Sequence, residues 1–114
     1  MAQEDPNLWQ LPKWNPYWDG EFVFASLRSF ALSVLSHTEL TTRLNIIEEG
    51  YAELEVFRRT MKIGLVYVNR SEKASVPQFS IYAGKDEDEF HTTDINAALA
   101  FLETCHTIFP KDAA

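Results

Sequence analysis

The 114-residue sequence predicts an α+β fold in two layers, with a small antiparallel sheet of about three strands packed against two long N-terminal and central helices and a C-terminal helix. Three observations carry this expectation. Apolar residues recur at helical spacing through residues 22–35 and again through 40–61. Short β-branched or aromatic runs follow at 65–68 and 78–83, and the connectors between them are short and polar, as in neighbouring antiparallel strands.

Residues 1–20 read as an extended arm, because Pro6, Pro12 and Pro16 bias the residues before them away from helix. The arm is rich in large apolar side chains: Leu8, Trp9, Leu11, Trp14, Tyr17 and Trp18. Asp19-Gly20 reads as a turn with a helix cap, opening a single domain over 21–110. Val23, Leu27, Phe30 and Val34 then place one face of a first helix, and Phe24, Ala31 and Leu35 widen it.

Leu40, Leu44, Ile47, Tyr51, Leu54, Phe57 and Met61 step by three or four, which predicts a second helix over 39–62. Arg58, Arg59 and Lys62 near its end complement the helix dipole, and Gly64 supplies a left-handed cap. The competing pattern is a strand in which Ala52, Leu54 and Val56 alternate with Glu53, Glu55 and Phe57. The helix is preferred because nothing between Tyr51 and Ile63 has the usual chemistry of a turn.

Leu65 to Val68 and Gln78 to Ala83 read as strands, with Phe90 to Thr92 a short third. Thr93 or Asp94 caps a last helix that runs to Phe109 and stops at Pro110, leaving a frayed tail at 111–114. Tyr67, Ser80 and Tyr82 fall on the sheet face away from the helices, open to solvent or crossed by the arm.

Seventeen acidic residues against ten Lys and Arg give a net charge of −7, which disfavours direct binding to nucleic acid or anionic membrane. A lone cysteine, Cys105, cannot form an internal disulfide, and the N-terminus has no apolar leader, so a cytoplasmic location is expected. The glycines at 20, 50, 64 and 84 stand singly, and no phosphate loop, CxxC or HExxH occurs. No cofactor and no metal are expected. Cys105 and His106 are adjacent, so on a helix they diverge by about 100° and do not form a catalytic pair locally.

The distinctive side chains are aromatic and acidic. Trp9, Trp14, Tyr17 and Trp18 are of the types that dominate binding hot spots, set against a purely structural role strapping the arm to the domain. Asp86, Glu87, Asp88 and Glu89 form an acidic run at a hairpin tip, without the ligand register of a calcium loop. Arg58, Arg59, Lys62, Arg70 and Lys73 read as dipole complementation and solubility. The function expected is a non-enzymatic protein-binding module, an inhibitor, immunity factor, adaptor or chaperone, with another protein as partner and a homodimer left open. Two alternatives remain. One is a small-molecule-binding or enzymatic domain with a pocket between helices and sheet lined by Tyr67, Tyr82, His91 and His106. The other is an acidic mimic of nucleic acid that blocks a nucleic-acid-binding protein.

Overall fold

The computed structural model describes residues 5–10, 20–48, 51–71 and 76–109. After a 3-10 turn at Pro6–Leu8 come α1 (Gly20–His37), β1 (Thr41–Glu48), β2 (Tyr51–Arg58), β3 (Met61–Arg70), β4 (Pro77–Ala83), β5 (Asp88–Thr92) and α2 (Ile95–Glu103). The strands form one antiparallel meander in the order β1-β2-β3-β4-β5.

The α+β class holds, but the expected three strands and two long helices are corrected to five strands, one helix of 18 residues and one of 9. Residues 41–58 are the hairpin β1-β2 rather than a helix. Ala52, Leu54 and Val56 bury one face of β2 while Glu55 and Phe57 are buried on the other, so burial on both sides erases the simple alternation. The turn from β2 to β3 is made by Arg59-Thr60, with Arg59 at φ 58. A left-handed turn carried by arginine is invisible to a search for Gly or Asn.

Gly64 is likewise no helix cap. It lies in β3 beside a register shift, and a Cβ there would come within 2.7 Å of the Tyr82 carbonyl oxygen. Its role is to let two strands approach closely.

The last helix also ends earlier than its apolar spacing predicts, at Glu103 instead of Phe109. The Thr104 hydroxyl donates to the Phe101 carbonyl, while Arg58 donates to the carbonyls of Glu103 and Cys105. These bonds satisfy groups the helix end leaves open and turn the chain back towards the sheet. There the Phe109 amide donates to the Lys62 carbonyl at 3.0 Å, and the Phe109 ring is buried.

Both helices cover the same face of the sheet. Leu27, Phe30 and Val34 of α1 and Ala98 and Leu102 of α2 meet Leu54, Val56, Val66, Phe79 and Ile81 in one core. Phe30 and Phe79 pack with ring centroids 4.9 Å apart. Each fully buried Leu, Ile, Val or Phe side chain here contributes about 1.5–3 kcal/mol of burial free energy. Asp94 caps α2 by accepting from the Asn96 amide at 2.9 Å. The described part of the arm lies on this helical side too, with Trp9 edge-on to Phe24 at 5.9 Å. It does not cross the opposite face.

Candidate functional site: the helix-free face of the sheet

Pairing carries the side-chain alternation from strand to strand. Glu53 stands opposite both Asn45 and, through Leu54 and Val66, the position of Tyr67; Tyr67 stands opposite Ser80, and Ser80 opposite His91. Since Leu54, Val66, Phe79 and Ile81 point to the helices, this second set points away from them. Tyr51 and Tyr67 are stacked at 6.0 Å, Tyr67 and Tyr82 meet edge to face at 5.8 Å, and Tyr82 meets His91 at 6.5 Å. A row of aromatic rings thus crosses β2, β3, β4 and β5.

Tyr51, Leu65, Tyr67, Asn69, Ser80, Tyr82, Glu87 and Phe109 line an open depression of about 440 Å³ on this face, with Val68 contributing to its wall. Phe109 reaches it through the segment that follows α2. Glu87 lies at the rim, in the turn between β4 and β5, at φ 52.

Beside the depression is a charged cluster. Glu55 accepts from Arg43 Nε at 2.7 Å and pairs with Lys62, and the side chains of Glu55 and Lys62 are only 5% and 7% exposed. Burial pushes the Glu55 carboxyl up, but the hydrogen bonds and charges of Arg43 and Lys62 outweigh it and hold the group below its ordinary value. Arg43 also lies 5.6 Å from the Phe57 ring centroid.

Glu53 accepts from the Tyr67 hydroxyl at 2.7 Å and from Asn45 at 3.1 Å. Burial, followed by the Glu53 hydrogen bond and charge, pushes the Tyr67 phenol far above its ordinary value, and burial with Glu89 does the same to Tyr82 in direction. Both tyrosines are therefore neutral donors at physiological pH.

Ser80 Oγ is hydrogen-bonded to His91 Nδ1 at 2.8 Å, and His91 Nε2 lies 3.4 Å from Glu89. The three touch in the order of a proton relay, yet Ser80 sits mid-sheet on β4, whose backbone amides serve the ladders to β3 and β5. Among the described residues, no pair of amides is left beside it for an oxyanion. The contacts order the edge of the aromatic row.

The expected site residues fall in three places. Trp9 is packed against α1 with its Nε1 buried and without a hydrogen-bond partner among the described residues. Trp14, Tyr17 and Trp18 lie outside the described residues. Asp86 and Glu87 are in the turn, whereas Asp88 and Glu89 open β5 and alternate, Asp88 opposite Ala83 and Glu89 opposite Tyr82. The acidic run is therefore divided between two faces.

The residues expected to line a pocket between helices and sheet fall elsewhere. That layer is filled by core side chains, and Tyr67, Tyr82 and His91 are on the other side of the sheet. His106 is exposed, and Cys105 donates to the Phe101 carbonyl at 3.6 Å, its thiol pushed up by burial. The expected basic residues disperse too: Arg58 binds the end of α2, Lys62 joins Glu55, and Arg70 lies 4.0 Å over the Phe22 ring.

Sequence reasoning found Tyr67, Ser80 and Tyr82 on the free face and missed Tyr51, Glu53, Glu55 and Phe109, which it had placed on helices. For the residues of β2 the competing strand pattern at Ala52 to Phe57 was the available signal, weakened by burial on both faces, and for Phe109 there was none. Among the described residues, no cluster of His, Cys, Asp or Glu is arranged to hold a metal ion, and no helix is long and apolar enough to cross a membrane. No family model, no curated protein and no solved structure matches the chain.

Proposed function

We propose that this protein is a protein-binding module whose docking surface is the helix-free face of the sheet, and that its partner presents a basic segment there. The observation that carries the reading is the row Tyr51, Tyr67 and Tyr82 around an open depression, on the face that neither helix covers. Tyrosine offers broad contact area at low entropic cost and keeps a polar handle, which suits recognition better than core packing.

Charge selects the partner's chemistry. Glu87 is the charged side chain lining the depression, Glu53 and Glu89 stand on its flanks, and the nearby Arg43 and Lys62 are engaged by Glu55. A chain of net charge −7 attracts a basic segment to such a face and speeds the encounter.

Selection of a displayed random-peptide library on the intact chain tests this. Recovered peptides should be rich in Lys and Arg, and Tyr51→Ala or Glu87→Lys, both at exposed positions, should weaken them about tenfold or more. Trp9→Ala should leave them bound. Failure to enrich any peptide, or binding that depends on Trp9 and ignores Tyr51, would remove the proposal.

A further inference from the structure

Resting on that docking surface, we infer that its depression is a subsite for one guanidinium group, an arginine side chain of the partner held against the Tyr67–Tyr82 pair and paired with Glu87. The two rings stand at 75° with centroids 5.8 Å apart, giving a flat wall and an edge rather than a closed aromatic slot. A planar cation lies on one ring face while its N–H groups reach past the other.

The polar groups are placed for this. Glu87 at the rim is acceptor-only when ionised, and the Asn69 amide and Ser80 hydroxyl in the lining add acceptors to match a donor-rich head. Leu65 and Phe109 line the remainder, apolar surface that suits the methylene stem of arginine. A carboxylate ligand would instead meet Glu87 with like charge. An uncharged ligand of the same shape would leave Glu87 without a counter-charge.

Arginine is preferred over lysine on the same grounds. A guanidinium is weakly hydrated and stacks on an aromatic face, whereas an ammonium keeps its water and contacts the ring as a point charge.

Ring resonances of Tyr51, Tyr67, Tyr82 and Phe109 can be followed by NMR while N-acetyl-arginine amide is added to the full chain. N-acetyl-citrulline amide, the uncharged isostere, serves as the comparison. Arginine should shift Tyr67 and Tyr82 saturably, with citrulline about tenfold weaker, the range of a partly desolvated cation–π contact. Glu87→Gln should weaken arginine by about threefold, in keeping with an exposed ion pair, and leave the thermal melt in place. Equal binding of citrulline, shifts without saturation, or indifference to Glu87→Gln would overturn the subsite. If selected peptides still require Tyr51 while arginine amide fails, the docking face survives and the guanidinium subsite does not.

Discussion

Glu55 shows how one side chain can be costly and necessary together. A carboxylate this buried is tolerated because Arg43 and Lys62 both engage it. Its lowered folded-state value means that the stability it contributes is fully present above the unfolded value of 4.5 and is lost as pH falls through the folded one. Denaturant titrations should therefore show the wild type losing stability below about pH 4.5. Glu55→Gln should lose about 3 kcal/mol at neutral pH, because two cations are left sharing a neutral partner, and should depend less on acid. Tyr67 has the opposite sign. Its raised phenol contributes stability present below its unfolded value of 10.0 and lost as pH rises towards the folded one. Tyr67→Phe should cost about 1 kcal/mol at neutral pH, the net worth of its hydrogen bond to Glu53, and should flatten the alkaline loss.

Two positions decide the β2-β3 hairpin at the scale of the element. Arg59 pays for a left-handed backbone that a Cβ disfavours, so Arg59→Gly should raise the unfolding free energy by about 0.5–1 kcal/mol. Gly64→Ala should do the reverse. Its new methyl group would overlap the Tyr82 carbonyl oxygen, a backbone atom that cannot move without disturbing the β3-β4 ladder, and a loss of about 2 kcal/mol is expected. Paired thermal melts of the two variants would check both directions, and a stabilising Gly64→Ala would contradict the close-approach account.

For the whole molecule, the segment after α2 joins the two faces of the sheet. α2 packs on the helical side, Arg58 secures its end, and Phe109 arrives at the other side to line the depression. Phe109→Ala should cost about 3–4 kcal/mol by emptying a buried site, and should enlarge the depression it lines. Denaturant unfolding gives the first quantity, and altered ring shifts of Tyr82 give the second.

The local pattern of the chain pointed to α1, β4, the Phe90–Thr92 part of β5 and a cap at Thr93 or Asp94, because each has one buried stripe or one alternating face or a recognisable boundary. It also determined the acidic balance and the turn chemistry after Ala83. Tertiary structure alone decided that 41–58 is a hairpin. Apolar spacing of three and four fits a helix, and it also fits β2, a strand buried on both faces, so the partner strands decide between the two. Tertiary structure likewise decided where α2 stops, since Arg58 lies forty-five residues from the Glu103 carbonyl it binds. The tyrosine face belongs to the same class: its rings come from three strands and become neighbours only through register, a relation between distant segments that no local window contains.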